Sequence, residues 1–415
     1  MHGPPRFCYR HPPRTSLNVG SLAKTVWLMP LLFVLAASCL VSAMTMRIVD
    51  PVVPAIARDL SISAETVALL ATAFTLPYAI FQPVLGSLGD TLGKSLIIKV
   101  SLAIVIVCLV VAALAPNIEL LFVARIAGGA AAGGIIPLAF AMVGDRFDFE
   151  HRQLALSRLL AAIISGQLIG SIGSGLLSSY TSWRTSMGVG AFLATAALAL
   201  TAWQLRPRAR AVRPRFTLST MHEGYRQVMS NPRAAVCFAA VFVEGILLFG
   251  LFPFIAILLE ERGAGGLREA GFVLAGFGLG GFLYTALVSS ILPRMGLINL
   301  IRAGGGVCGI GFAGLALGGS WPLAMAAFLV VGVGFYMIHN SLQTQATELA
   351  PGNRGAAVAA HAFSFFLGQA AGPVIYGLSL PALGPGVTLV CAGSIMGGLG
   401  FATAWGLVRR GAPVW

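Results

Sequence analysis

Between residues 26 and 408 the chain repeats one unit: an apolar run, nearly free of charge, followed by a short polar joint. About twelve such runs can be marked, at 26–49, 63–86, 96–115, 118–143, 155–180, 185–204, 234–259, 269–291, 298–318, 321–346, 355–379 and 386–408. A helix needs about 20 consecutive apolar residues to cross the hydrocarbon core of a bilayer, and each run approaches or exceeds that length. Backbone N–H and C=O groups find no water in hydrocarbon, so each run must satisfy its own groups as a helix. A membrane barrel would show shorter segments of alternating polarity. Composition points to the same solvent. The chain is 57% apolar and 10% charged, against about 25% charge in an ordinary soluble domain. It carries too few charges for a disordered chain, and its 51 glycines follow no collagen-like period. The predicted fold class is an all-α membrane protein with twelve transmembrane helices.

The formal net charge is +13. Its placement argues for a membrane surface and against nucleic acid. If the N-terminus is cytoplasmic, eighteen basic residues fall in cytoplasmic tails and joints, including Arg6, Arg10, Arg14, Lys94, Arg146 and Arg294. Four fall on the other side: Arg58, Arg184, Arg262 and Arg268. This is the positive-inside bias of an inner or plasma membrane protein, and the cytoplasmic cations meet anionic headgroups. An even number of spans then places both termini in the cytoplasm. Arg47, inside the first run, is expected to snorkel to the headgroups. Of the six cysteines, five lie in apolar runs and none forms a CxxC pair, so they read as packing residues rather than disulfides or metal ligands. No His, Cys or carboxylate cluster has metal-site spacing. Neither a metal nor another cofactor is expected.

The longest polar stretch, 205–232, divides the twelve runs six and six. The expected organisation is a cytoplasmic tail over 1–24, a six-helix bundle over 25–204, a linker over 205–232, a second bundle over 233–410 and a short tail over 411–415. The halves share a spacing plan. Gly166-Gln167-Leu168-Ile169-Gly170 and Gly368-Gln369-Ala370-Ala371-Gly372 are 202 residues apart. Arg152 precedes the first by 14 residues and Arg354 precedes the second by 14. Asp145 stands seven residues before Arg152, and Glu348 six before Arg354. Such internal symmetry is expected of transporters built from repeated halves.

Four stretches carry a family resemblance. Gly86-Ser87-Leu88-Gly89-Asp90-Thr91-Leu92-Gly93-Lys94 joins the second and third runs. Arg125-Ile126-Ala127-Gly128-Gly129 opens the fourth. Asp50-Pro51-Val52-Val53-Pro54 ends the first, and residues 348–373 form the joint and helix around the second Gly-Gln-x-x-Gly. In this order and on these elements the chain resembles the major facilitator superfamily, specifically the bacterial twelve-helix drug:proton antiporters. The pattern departs at Thr91, where the family usually has arginine, and at Ser171, where antiporters usually have the proline of a Gly-Pro pair. Here Gly-Pro stands in the eleventh run instead, as Gly372-Pro373. The resemblance implies two pseudo-symmetric six-helix bundles around a central cavity, working by alternating access as a functional monomer. It also implies a cytoplasmic gate formed by Gly86, Asp90, Gly93 and Lys94 against the start of the eleventh helix. Asp145, Arg152, Glu348 and Arg354 are expected to form a matching latch. Their alternative reading is solvated loop.

Glu244 is the sharpest chemical signal. It lies about eleven residues into the seventh run, roughly 16 Å deep at 1.5 Å per residue. A carboxyl there is costly unless it faces a cavity or a partner. It reads as a proton carrier or a counter-ion, or else as a structural hydrogen bond between helices. Arg125 and Asp50 sit near the outer ends of the fourth and first runs, where an aspartate–arginine ion pair would lower the cost of burial. The resemblance assigns the arginine a part in proton coupling. Gln167, Gln369, His339, Asn340, Gln343 and His361 could bind substrate or relay protons, or could join helices by hydrogen bonds. Gly166, Gly170, Gly368 and Gly372 repeat at four-residue spacing, so each pair shares one helix face and permits close packing in lipid. The resemblance places that face where the two halves meet and slide.

The expected function is secondary transport of a small organic compound, with proton-coupled efflux first and a sugar or metabolite facilitator or symporter as the alternative. The partners are the substrate, protons and the bilayer. A cavity lined by Phe, Met and Ala with one acid would suit a lipophilic cation. No convergent nucleophile–base pair argues for an enzyme.

Overall fold

The structure, a computed structural model, describes residues 19–147, 149–205 and 218–412. Most of the expected N-terminal tail, the arginine-rich core of the linker and residues 413–415 lie outside these. Among the described residues ten helices are long and apolar enough to cross a membrane. Two of them, Ala64–Leu114 and Leu267–Leu317, have 51 residues each. At 1.5 Å per residue that is about 76 Å, more than twice a bilayer core. Each turns at a glycine in the left-handed region, Gly93 at φ 116° and Gly296 at φ 71°. Only glycine adopts such angles without a steric penalty. Divided there, the ten helices become twelve segments.

The first six are α1 (Pro30–Leu60), α2 (Ala64–Leu88), α3 (Lys94–Leu114), α4 (Ile118–Arg146), α5 (Leu154–Tyr180) and α6 (Trp183–Gln204). The last six are α7 (Ala234–Glu261), α8 (267–295), α9 (297–317), α10 (Trp321–Thr347), α11 (Pro351–Leu383) and α12 (Pro385–Arg409). A shorter helix, Leu218–Met229, precedes α7. Local chemistry sets the starts. Ser63 accepts from the Thr66 amide, Asn117 from the Leu120 amide and Ser182 from the Arg184 amide. Each satisfies an orphan donor of the first turn.

Proline breaks α1 and α7 at equivalent places. The helix of α1 stops at Arg47 and passes through a tight turn, Asp50–Val52, that contains Pro51. In α7 the matching turn is Phe252–Phe254, around Pro253. The two prolines are 202 residues apart, the offset of the Gly-Gln-x-x-Gly repeat. A proline has no N–H to donate and cannot continue the helical ladder.

Packing repeats with the same offset. In the first half α1 packs on α5, α2 on α4, and α3 on both α4 and α6. The second half pairs α7 with α11, α8 with α10, and α9 with α10 and α12. The glycines hold the register. A Cβ on Gly166 would collide with the Leu40 carbonyl, and one on Gly368 with the Phe242 carbonyl. Gly129 presses on the Phe74 carbonyl and Gly332 on that of Phe277, a pair displaced by 203 residues. One contact is inverted. Gly133 in α4 lies on the backbone of Tyr78 in α2, whereas in the second half Gly281 lies in α8 and the Tyr336 ring of α10 covers it.

The glycine faces therefore differ from the expected sliding surface. Gly166 and Gly170 face α1, and Gly368 and Gly372 face α7, each inside its own bundle. The bundles meet through other surfaces. Gly175 and Leu168 of α5 pack on Leu267, Gly271 and Gly278 of α8, and α2 packs on α11. A glutamine next to a close-packing glycine points about 100° away from it around the helix. This turns Gln369 toward the other bundle while its glycines stay in their own.

Candidate functional site: a central cavity open on one side

The ends of the bundles nearest residues 205–233 are here the linker side, and the opposite ends the far side. A cavity of about 780 Å³ lies between the bundles. Its mouth, on the linker side, is bounded by Gly86 and Ser87 of α2, by Asp90 of the α2–α3 joint, by Asn353 and Gly355 of α11, and by Tyr225 of the short helix before α7. Its blind end is formed by Arg47, Phe249, Phe335 and Gln369. Gln167, His339, Asn340, Gln343 and His361 line it in between.

The far side is closed by contacts across the bundles. The turn Asp50–Val52 packs on Phe252–Phe254. Thr72 donates to the Ala370 carbonyl at 2.7 Å. Arg58 donates to both carboxylate oxygens of Glu260, at 2.6 and 3.4 Å. On the linker side the ion pairs among the described residues stay within a bundle. Lys94 pairs with Asp145 at 2.5 Å and with Asp90 at 3.7 Å, and Arg354 pairs with Glu348 at 3.3 Å. Arg152 donates to the Gly144 and Phe147 carbonyls, so it closes the α4–α5 joint rather than meeting Asp145.

Two buried polar groups flank the cavity, one per bundle. In the first, Arg125 donates to the carbonyls of Thr45, Met46 and Leu70 at 2.8, 3.4 and 3.2 Å. Thr45 and Met46 are in the last turn of the first part of α1, where carbonyls lack helical donors. A cation at a helix C-terminus is favourable. The Phe74 ring covers its guanidinium at 4.1 Å. Asp50 is fully buried and pairs with Arg47 at 3.5 Å. Arg47, expected at the headgroups, is 3% exposed instead. It donates to Oε1 of Gln369 at 2.7 Å, and its guanidinium lies 4.3 Å from the Phe249 ring and 4.9 Å from that of Phe252. The side chain extends across to the aromatic surface of the other bundle, where it gains cation–π contacts that a headgroup position would not give.

The second group is Glu244, His339 and His361. Glu244 is fully buried, and its Oε2 lies 2.9 Å from Nδ1 of His339. The His339 ring packs between Phe335 and Phe365 at 4.8 and 4.5 Å and meets the His361 ring at 5.1 Å. Oε1 of Glu244 and Nε2 of His361 are buried without a hydrogen-bond partner. Immediately after Glu244 the helix widens into a π-turn over Gly245–Phe249, a feature often found at functional sites. Gly245 seats this turn against the backbone of α11. The cavity thus reaches His339 directly and Glu244 through it.

A model of the Major Facilitator Superfamily matches residues 35–373. The chain belongs to that superfamily. Among curated relatives, the Bacillus subtilis "Uncharacterized MFS-type transporter YwfA" is 26% identical over 384 residues, covering 90% of this chain and 92% of the relative. "Multidrug resistance protein 1" of the same organism is 22% identical, covering 84% and 89%. The solved structure of the nucleoside transporter NupG superposes with a TM-score of 0.75 at 14% identity, covering 92% of this chain and 99% of that one. Its likeness is one of fold. A superfamily member with this helical core is a membrane transporter, not an enzyme.

The sequence-predicted residues gather at one site. His339, Asn340, Gln167 and Gln369 line the cavity, with Glu244 behind His339 and with Arg125 and Asp50 behind the closed end. Three features escaped the sequence reading: the inward turn of Arg47, the Arg58–Glu260 pair across the bundles, and the aromatic cluster of Phe249, Phe252, Phe277, Phe328 and Phe335. The repeat carried a signal for the last. At offsets of 202 or 203 residues, Arg47, Asp50 and Arg125 correspond to Phe249, Phe252 and Phe328. One bundle is charged where the other is aromatic.

Proposed function

We propose that this transporter exports small organic compounds across the cell membrane in exchange for protons, by alternating access of the central cavity. The observation that carries the reading is Glu244. A carboxyl with no exposed surface, joined at 2.9 Å to a histidine that lines the cavity, is placed to take and release a proton as the cavity changes sides. Buried ionisable groups in membrane segments are costly and mark ion or proton pathways. The unpartnered Glu244 Oε1 and His361 Nε2 leave acceptor and donor capacity in the same cluster.

The basic residues around the linker support a cytoplasmic linker side. On that orientation the cavity is open to the cytoplasm, the side from which an exporter loads. The relative named for multidrug resistance supports efflux. The two bundles are taken to rock as units about the cavity, and the chain to work as a monomer. Asp90, Lys94 and Asp145, with Gly86 and Gly93, form the first-half side of the cytoplasmic gate, and Glu348 with Arg354 the second.

The test is efflux from proteoliposomes with a pH-sensitive dye inside. Export of a transported compound should accompany proton entry and stop when the pH gradient is collapsed. Glu244→Gln should retain binding and lose gradient-driven export, by at least about tenfold if general acid–base function resides there. Export by Glu244→Gln at the wild-type rate would remove Glu244 from the coupling step. Substrate accumulation on the side that protons enter would indicate symport.

A further inference from the structure

The blind end of the cavity differs in charge from the rest of it. Arg47 reaches the cavity surface, whereas Asp50 and Glu244 are fully buried and do not. The described carboxylate that does line the cavity is Asp90, at the mouth, and it pairs with Lys94 at 3.7 Å. The deep part of the cavity therefore presents a guanidinium and no exposed carboxylate among the described residues.

That guanidinium is poorly satisfied. It has five N–H donors in a plane, arranged to meet a carboxylate in bidentate fashion. Nη1 meets Asp50 only at 3.5 Å, Nη2 meets the uncharged Gln369 at 2.7 Å, and the buried Nε has no partner. Phe249 and Phe252 lie against the cation through their rings, at 4.3 and 4.9 Å. These contacts leave the in-plane donors as the route for a new acceptor. Beside them the cavity wall is aromatic: Phe335, Phe365, Phe366 and Tyr78.

We propose that Arg47 is the anchor for the substrate, and that the substrate class is an aromatic compound bearing a carboxylate or a similar planar oxyanion. The ring stacks within the wall, and the anion takes the place of Gln369 on Arg47. Because Arg47 belongs to one bundle and Gln369 to the other, this exchange breaks a contact across the closed far side. The binding energy of the substrate then favours parting of the bundles there. The inference rests on the transport reading above and narrows its substrate. It is the opposite of the lipophilic cation that an acid in an apolar cavity suggests.

The test is binding to the full-length protein in detergent at fixed pH, without a gradient. The probes share one ring system: 2-naphthoate, 2-naphthylmethanol and 2-naphthylmethylammonium. A charge-assisted bidentate pair should make naphthoate bind about tenfold tighter than the alcohol, with the ammonium weakest. Arg47→Gln should abolish that preference and leave the affinity for the alcohol within about twofold. Gln369→Leu should raise the affinity for naphthoate, because it removes the competing acceptor while Arg47 stays. Wild-type binding that favours the ammonium, or that ranks all three alike, overturns the proposal even if Arg47→Gln fails to fold. So does an Arg47→Gln protein that keeps the anion preference. Failure here leaves proton coupling untouched, since no gradient enters the measurement. Failure of gradient-driven export leaves this ranking standing.

Discussion

Gly86 and Gly93 bound the same short joint and carry different burdens. A Cβ on Gly86 would meet nothing within 4 Å, whereas Gly93 holds φ at 116° to turn the chain from α2 into α3. Gly93→Ala should cost about 1–3 kcal/mol through backbone strain, visible as a lower melting temperature in detergent, and Gly86→Ala should cost almost nothing in the state with the mouth open. Gly368 is a third case. Its backbone is ordinary, but a side chain there would collide with the Phe242 carbonyl. Gly368→Ala should destabilise by about 1–3 kcal/mol, as overpacking does. Equal melting temperatures for Gly86→Ala and Gly368→Ala would contradict the assignment of the glycine face to α7. Sequence spacing identified Gly368 as a packing residue. It could not say which helix it packed on, because a shared face names no partner.

At the scale of elements, the repeated proline turns of α1 and α7 decide how the far side closes. Each turn ends a helix early and frees carbonyls near the closed end. The Thr45 carbonyl in α1 is taken by Arg125, and the equivalent Leu247 carbonyl in α7 by the Tyr376 hydroxyl at 2.7 Å. The two residues are 202 apart, so one structural need is met by a cation in one bundle and a phenol in the other. Beyond the turns, Arg58 and Glu260 join the bundles at 2.6 Å. Their side chains are 61% and 29% exposed, so the pair contributes about 0.2–1 kcal/mol rather than a large share. That is enough to bias a balanced equilibrium. Arg58→Glu should expose the far side, and the exchange Arg58→Glu/Glu260→Arg should close it again. Labelling of a cysteine placed at Val52, which is fully buried in the closed turn, should speed up by as much as about fivefold in the single variant and return to the starting rate in the double. The sequence showed Arg58 as an outer-joint charge. Its partner lies 202 residues away in chain order, and only the fold brings the two together.

For the whole molecule, the spans, their 6+6 division and the shared spacing of the halves were legible, because hydrophobic length and a fixed offset survive divergence of side chains. The candidate site was legible where a polar residue is anomalous in lipid, as Glu244 and His339 are. It was illegible where the second half replaced charge by aromatic surface, since Phe249 and Phe252 look unremarkable in an apolar run. The same repeat suggests how the molecule moves. Among the described residues the hydrogen bonds and ion pair across the bundles lie on the far side, at Arg47–Gln369, Thr72–Ala370 and Arg58–Glu260, while each described ion pair on the linker side stays in one bundle. A body joined at one end and open at the other can only exchange ends if closure of one accompanies opening of the other. Cysteines at Ser87, in the mouth, and at Val52, in the far-side turn, should therefore respond in opposite directions in an otherwise cysteine-free protein. When Arg58→Glu or a saturating substrate raises labelling at position 52, labelling at position 87 should fall. A rise at both positions would mean that the bundles loosen into a leak, and would rule out rocking between two closed-ended states.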